Sequence, residues 1–202
     1  MKHVVFLILL ISFNNDIRAQ NFDIDLLRKI NIERNSNYDA PYLFVTNSST
    51  AISFGAPAIM FTVGLIQKDS LLKQNSVMII GALAVSTLIS LPMKFGFNRE
   101  RPFTTYPDII KLTKGGSPSF PSGHTSAAFS TATAMSIAYP KWYIITPSFL
   151  WASAVGYSRM HLGVHYPSDV FVGAIVGAGS AWISQFLTKK IQHKRSNKRL
   201  QL

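Results

Sequence analysis

The 202-residue sequence contains no cysteine and has few charged residues. The absence of cysteine excludes disulfides, thiolate nucleophiles and cysteine-based zinc or iron–sulfur sites. Charged residues make up only 14% of the chain, whereas about a quarter is usual in a soluble domain, and 48% of the residues are hydrophobic. The composition therefore favours a protein that lies in a lipid bilayer, and the length is typical of one domain.

Acidic residues are also scarce, and the formal net charge is +11. A strongly basic chain raises the question of nucleic-acid binding, so the position of the cations matters. Residues 189–202 follow an apolar segment and contain Lys189, Lys190, Lys194, Arg195, Lys198 and Arg199. No aromatic residues are interleaved with these cations, and the pattern predicts a basic cytoplasmic tail rather than a nucleic-acid partner.

The N-terminus has the charged, apolar and small-residue sections of a secretory signal peptide. Lys2 precedes an apolar run over residues 4–13, and Ala19 offers a small residue for cleavage. Residues 1–19 are therefore predicted to be a signal peptide, with an uncleaved membrane anchor as the alternative. Residues 20–47 are predicted to be an extracytoplasmic amphipathic segment, whose helix places Phe22, Leu26, Ile30 and with them Leu27 on its apolar face.

Long stretches without any charged residue follow. They centre on residues 48–66, 76–93, 124–139, 142–157 and 170–188. Each approaches the ~20 residues that a helix needs to cross a bilayer core of ~30 Å. Small residues crowd the third and fifth stretches, and the pair Gly173 and Gly177 is typical of closely packed helices. The sequence predicts an all-α, multi-spanning membrane helical bundle over residues 48–188, with about five spans after a signal peptide, or six if the N-terminal segment is retained.

The order of the spans predicts which loops lie on each side of the membrane. If the segment after the signal peptide is outside, the loops near residues 94–123 and 159–167 are also outside, and the C-terminus is cytoplasmic. The two outer loops nevertheless carry Lys94, Arg99, Arg101, Lys111, Lys114 and Arg159. These cations depart from the positive-inside rule, and anion binding would explain them. We expect a cell (inner) membrane protein whose site faces the extracytoplasmic side.

Two segments of the outer loops contain groups that can bind phosphate. Lys94 supplies a mobile point charge, and Arg101 supplies a rigid fork of donors, although a basic membrane flank is an equal alternative. Ser122 and Gly123 precede the third span, where the unsatisfied N–H groups of a helix N-terminus favour an anion. His124 stands where it can protonate a leaving group. Helix capping by Ser122 is the alternative, but it does not explain His124.

The third segment contains Arg159, His165 and Asp169, the last being the only acidic residue from Ile109 to the C-terminus. A neutral histidine can attack phosphorus when a carboxylate holds its other ring nitrogen, and Arg159 would stabilise the developing negative charge. His161, His165 and Asp169 are also spaced like metal ligands on a continuous helix. Gly163 and Pro167 interrupt that helix and count against a metal site.

Together the three segments resemble the signature of the type-2 phosphatidic acid phosphatase family. The matching elements are Lys94 followed after six residues by Arg101-Pro102, then Pro121-Ser122-Gly123-His124, and finally Ser158-Arg159 followed by His165 and Asp169. The resemblance implies a helical bundle in which His165 forms a phosphohistidine assisted by Asp169, and His124 is the general acid. It also implies phosphate binding, without a metal or other cofactor, by Lys94, Arg101, Ser122, Gly123 and Arg159.

The expected partner is a phosphorylated lipid of the bilayer. Candidate classes are an undecaprenyl diphosphate, a phosphatidic acid, a phosphatidylglycerol phosphate and a lipid A phosphate. One alternative function is a vanadate-dependent haloperoxidase, a family with a similar anion pocket, but the membrane spans count against it. Another is a binder or transporter of lipid phosphates without turnover, although every proposed catalytic group is present.

Overall fold

A computed structural model describes the backbone of residues 16–199 and the side chains of residues 22–193. The helices are α1 (Asp16–Asn31), a 3-10 turn (Ser36–Tyr38), α2 (Asp39–Ile66), α3 (Ser70–Phe97), α4 (Pro102–Thr105), α5 (Gly123–Ala138), α6 (Trp142–His161) and α7 (Pro167–Arg199). Within residues 16–199 there is no strand, so the all-α prediction is confirmed. Most of the predicted signal peptide, and the side chains at the end of the basic tail, lie outside the described residues.

Among the described residues, three segments are long and apolar enough to cross a membrane: Ser36–Ile66, Ser70–Thr105 and Pro167–His193. They contain three of the predicted spans. Helices α5 and α6 cover the other two, but α5 has only 16 residues. A helix of that length rises about 24 Å, less than a bilayer core of ~30 Å. The membrane helical bundle is confirmed, and the number of spans stays a prediction.

Helix α5 lies at the centre of the bundle and packs against α3, α6 and α7. The contact with α7 depends on small residues, because a Cβ atom at Gly177 or Gly173 would collide with the backbone oxygen of Ser126 or Ser122. On the side of α3, the hydroxyl oxygen of Ser86 lies 2.9 Å from that of Ser126. The prediction that the glycine pair serves close helix packing is therefore confirmed.

Successive long helices run in alternating directions, which brings the predicted outer loops together. At one end, which we call the site end, Arg159 of α6 contacts Thr46 of α2, and the Ser122 amide donates to the carbonyl oxygen of Asp169 at 3.0 Å. At the opposite end, the Gln192 amide donates to Gln74 at 3.0 Å. The segments after α3 and α6 thus meet, as the alternation of spans predicts, while the side of the membrane stays a prediction.

Helix α1 packs on the site end with a face that differs in part from the one predicted. Phe22 is 71% exposed, whereas Ile24 and Leu27 are buried against Ile109 and Tyr166. The predicted face is therefore only partly right: Leu27 is buried and Leu26 and Ile30 are half-buried, but Phe22 is exposed. The reason is polar: Asp23 and Asn31 lie on the buried side and are anchored there, for example by the Asn31 amide, which donates to the carbonyl oxygen of His161 at 2.8 Å.

Candidate active site

His165 lies in the loop between α6 and α7 and is almost completely buried. Its Nδ1 lies 3.3 Å from Oδ2 of Asp169, and its Nε2 lies 3.3 Å from Nη1 of Arg101. Because a guanidinium group has donors only, Nε2 is the acceptor and Nδ1 carries the ring proton. Burial lowers the pKa of His165 well below its ordinary value, although the neighbouring Asp169 opposes this effect. The ring is therefore neutral at pH 7, with the Nε2 lone pair directed away from Asp169.

Asp169, in the first turn of α7, is fully buried and hydrogen-bonded on both oxygens. Its Oδ2 accepts from the Tyr166 amide at 3.0 Å and from the Ser119 hydroxyl at 2.5 Å. Its Oδ1 accepts from Nη1 of Arg99 at 2.7 Å. A buried carboxylate with this many donors is held ionised and in one orientation. The structure therefore holds a fixed negative charge beside Nδ1 of His165.

Arg101 lies on the Nε2 side of the histidine ring, and both Arg101 and Lys94 are buried. Nζ of Lys94 donates to the carbonyl oxygen of Pro118 at 2.9 Å. Arg101 donates to the carbonyl oxygens of Ser117 at 2.8 Å and Val164 at 2.7 Å. Neutral carbonyl groups orient these cations but do not compensate their charge.

Arg159 completes this cationic pocket from the last turn of α6. Its side chain is buried, and its Nη1 donates to the Thr46 hydroxyl at 2.6 Å. Its Nε is buried and has no hydrogen-bond partner among the described residues. In that part of the chain, none of Lys94, Arg101 and Arg159 forms an ion pair within 4.0 Å, since the nearby Asp169 pairs with Arg99 and His165. Three buried cations without a carboxylate partner make a site for an anion.

The N-terminus of α5 borders the same pocket. Ser122 is the N-cap residue, but its side chain accepts from the Thr125 hydroxyl at 2.8 Å and makes no capping bond. The alternative of helix capping by the Ser122 side chain is therefore wrong. The N–H groups of Gly123 and His124 belong to the first helical turn and have no intrahelical acceptor. A Cβ atom at Gly123 would lie 3.8 Å from Cε of Lys94, so this turn is close to the lysine side chain.

His124 is half-buried at the start of α5. The Ser49 hydroxyl of α2 donates to its carbonyl oxygen at 3.3 Å and thereby anchors the backbone. Its side chain lies near enough to Arg159, Arg101 and Lys94 for all three charges to act on it. The second histidine of the predicted site thus shares the cationic pocket.

The structure does not bring together the histidines that the metal alternative requires. Helix α6 ends at His161, whose Nε2 lies 2.7 Å from Oδ1 of Asp39 and whose ring packs at a tilt of 45° against the Tyr42 ring. His165 instead faces Asp169. Gly163 separates them with a φ of 71°, and a side chain there would collide with a backbone oxygen of the neighbouring loop. The two histidines therefore serve different carboxylates.

Three residues of the site region were not predicted from the sequence: Ser119, Arg99 and Asp23. Ser119 and Arg99 both contact Asp169, and Nη2 of Arg99 also donates to Oδ2 of Asp23 at 2.7 Å. The sequence pattern marks Arg99 only as one of several cations in the outer loops. Asp23 stands next to Ile24 in an amphipathic helix, and that position alone is too weak a pattern to predict its burial.

A helical membrane bundle with a histidine, a carboxylate and buried cations at one end defines a class of membrane protein that handles anionic groups. Residues 75–192 match the family described as the PAP2 superfamily, and this region is more than half of the chain. The chain belongs to that family.

Individual relatives agree with this assignment. A lipid A 4'-phosphatase of Bacteroides thetaiotaomicron is 33% identical over 94 residues, which cover 46% of this chain but only 42% of that protein. The crystal structure of LpxE from Aquifex aeolicus superposes with a TM-score of 0.72 at 31% identity, covering 81% of this chain and 94% of that one. A transmembrane PAP2 type phosphatidylglycerolphosphate phosphatase from Bacillus subtilis shares the fold, with a TM-score of 0.75, 21% identity and 94% of each chain covered.

Proposed function

We propose that this chain is a metal-independent phosphatase that removes phosphate from a lipid phosphate or diphosphate through a phosphohistidine intermediate. Membership of the PAP2 superfamily supports a lipid phosphatase function. The observation that carries the proposal is the set of three buried cations, Lys94, Arg101 and Arg159, that have no carboxylate partner among the described residues; one of them, Arg101, contacts Nε2 of His165. A bound phosphate group would supply the compensating negative charge at the position where the histidine lone pair can reach phosphorus.

In the first half of the reaction, Nε2 of His165 attacks phosphorus and the bond between phosphorus and the leaving oxygen breaks. The Nδ1 proton stays in the hydrogen bond to Asp169, whose charge stabilises the ring as it becomes positive. His124, which must enter this step protonated, gives its proton to the leaving oxygen and becomes neutral, and the dephosphorylated lipid departs. The product at this stage is a phosphohistidine.

In the second half, a water molecule attacks the phosphorus atom of the phosphohistidine. His124, now neutral, takes a proton from that water, the phosphorus–nitrogen bond breaks, and inorganic phosphate leaves. Lys94, Arg101 and Arg159 stabilise the negative charge on the phosphoryl oxygens in both transition states. Ser122 and Gly123, at the start of α5, are proposed to complete the phosphate contacts.

The substrate is proposed to be a membrane lipid whose head group enters at the bilayer surface. The site end of the bundle adjoins three long apolar helical segments, so a phosphate in the pocket would be attached to a molecule lying in the bilayer. We place this end on the extracytoplasmic face of the cell membrane, because the basic tail beyond residue 188 favours the cytoplasmic side. The candidate classes are undecaprenyl diphosphate, phosphatidic acid, phosphatidylglycerol phosphate and lipid A phosphate.

A direct assay tests this function. The full chain, purified in detergent, is offered a panel of lipids from the four classes, and phosphate release is measured with His165→Ala as the control. We expect turnover of at least one lipid by the wild type, with kcat/KM values that rank the classes. Tight lipid binding with no phosphate release would favour a binder or transporter instead. Peroxide-dependent halide oxidation that requires vanadate would favour a haloperoxidase.

The orientation has its own test. A reporter that is active only in the cytoplasm, fused after Leu202, is expected to be active. A reporter active only outside the cell at the same position would reverse the proposed topology.

A further inference from the structure

Arg99 is held between two carboxylates from opposite ends of the chain. Its Nη1 donates to Oδ1 of Asp169 at 2.7 Å, and its Nη2 donates to Oδ2 of Asp23 at 2.7 Å. The plane of its guanidinium group is further located by the Tyr166 ring, whose centroid lies 3.8 Å from Cζ. The Arg99 side chain is 28% exposed, whereas the side chains of Asp23 and Asp169 are 8% and 0% exposed. Arg99 thus connects Asp23 of α1 to Asp169, the buried carboxylate beside His165.

Asp23 reaches the start of α7 as well as Arg99. Its Oδ1 accepts from the Ser168 amide at 2.8 Å, and its Oδ2 accepts from the Ser168 hydroxyl at 2.5 Å. Nη1 of Arg99 also donates to the Ser168 hydroxyl oxygen at 2.7 Å. One side chain of α1 therefore holds both Arg99 and the residue that precedes Asp169.

From this geometry we propose that Asp23 and Arg99 are positioning residues, which set the orientation of Asp169 and through it that of His165. The proposal rests on the proposed function. Arg99 occupies Oδ1 of Asp169 and thereby leaves Oδ2 facing Nδ1 of His165. The helix that precedes the membrane domain is then part of the catalytic architecture, although it carries none of the residues that would touch the substrate.

The role of Asp23 follows from the nature of the arginine side chain. Arginine has many rotamers, and ordering it costs conformational entropy unless several contacts share that cost. Asp23 takes the second arm of the guanidinium fork, so that the first arm meets Asp169 in one geometry. Without Asp23, Arg99 is free to turn toward solvent, and Asp169 would lose the partner that fixes its Oδ1.

The test compares two substitutions on the same helix. Asp23→Asn removes the charge that holds Arg99, whereas Asp25→Asn removes an exposed charge whose ion pair with Arg28 is long, at 3.5 Å. With a lipid phosphate that the wild type turns over, we expect Asp23→Asn to lower kcat about tenfold and to change KM by less than about twofold. Asp25→Asn is expected to match the wild type, and Asp23→Glu to recover at least part of the loss.

A double substitution tests whether Asp23 acts through Arg99. Arg99→Gln is expected to lower kcat about 100-fold, and adding Asp23→Asn should lower it little further, because the two residues form one chain of contacts. Losses that multiply would contradict the proposal. Equal kcat values for Asp23→Asn and Asp25→Asn, with a fully active wild type, would also overturn it while leaving the proposed function intact.

Inhibition separates positioning from general loosening of the pocket. Vanadate resembles the five-coordinate phosphorus that His165 attacks, whereas inorganic phosphate resembles the product and needs only the cations. Asp23→Asn is expected to weaken vanadate inhibition about as much as it lowers kcat/KM, and to leave phosphate inhibition unchanged. Equal weakening of both would show a structural role and contradict the proposal. A wild type that releases no phosphate from any lipid would instead contradict the proposed function itself.

Discussion

Arg99 and Arg101 are separated by one residue, yet their surroundings are opposite. Arg99 makes ion pairs of 2.7 Å with both Asp23 and Asp169. Arg101 contacts two carbonyl oxygens and Nε2 of His165, and within the described residues it forms no ion pair. Two residues of the same type thus have different electrostatic states: Arg99 is the counter-ion of two carboxylates, whereas the charge of Arg101 has no counter-ion in that part of the chain.

This difference separates the support of the site from the part that receives a ligand. A buried cation is costly unless it is paired, so unpaired ones are kept where they are used. Lys94 and Arg159, like Arg101, have no ion-pair partner among the described residues. Asp23 and Asp169, like Arg99, are paired. The comparison predicts that substitutions on the unpaired side weaken the binding of phosphate or of the transition state, and that substitutions on the paired side lower kcat without weakening phosphate binding.

The largest effect is expected at His165, which lies between the two sides. His165→Ala removes the proposed nucleophile and is expected to lower kcat at least about 10³-fold. Phosphate release from a lipid phosphate measures the effect, and the melting temperature of the purified variant checks that it is folded. A folded variant with normal turnover would remove His165 from the mechanism.

Arg159→Gln is expected to have the next largest effect. Its guanidinium group would stabilise charge that develops in the transition state, and loss of one such donor lowers kcat by roughly 10²–10³-fold. Within residues 22–193 the Arg159 side chain bonds the Thr46 hydroxyl but no carboxylate, so its removal leaves no buried charge unpaired and should not unfold the protein. A loss of less than about tenfold in kcat would place Arg159 outside the phosphate site.

Inorganic phosphate distinguishes the two neighbouring arginines directly. Arg101→Gln is expected to raise the inhibition constant of phosphate at least about tenfold, because the proposed charge-assisted contact with the anion is lost. Arg99→Gln should leave that constant within about twofold of the wild type, since the charge of Arg99 is already paired with Asp23 and Asp169. The comparison is refuted if both substitutions raise the inhibition constant equally.

The smallest effect is expected outside the site. Arg28→Gln breaks an exposed ion pair of 2.8 Å with Asp108, another link between α1 and the site end. Burial is slight there, and such pairs contribute little. We expect kcat/KM within about twofold of the wild type. A larger loss would mean that breaking any contact of α1 with the site end lowers activity, and that Asp23 has no specific role.

The sequence predicted the positions of the unpaired cations better than those of the residues around Asp169. Lys94, Arg101, His124 and Arg159 each stand at a helix end, so the alternation of spans alone predicts that they lie at one end of the bundle. Asp169 was identifiable because no other acidic residue lies near it in sequence. Local sequence patterns and the direction of the helices are enough to predict the positions of these residues.

The paired side depends on contacts that no local pattern encodes. Asp23 meets residues 76 and 145 positions away, and only the packing of α1 decides which of its faces is buried. Apolar periodicity favoured burial of Phe22, whereas the hydrogen bonds that Asp23 accepts and that Asn31 donates turn the helix so that Phe22 is exposed. Arg99 and Arg101 are the same residue type in the same loop, and only the three-dimensional structure distinguishes their roles.

The most direct test of the central claim is to trap the phosphoenzyme. The wild type is mixed with a lipid labelled in its phosphate group and quenched in alkali, in which phosphohistidine survives, and the labelled peptide is identified by mass spectrometry. We predict that the label lies on His165 and is absent from His165→Ala. Label on another residue, or full turnover by His165→Ala, would contradict the account.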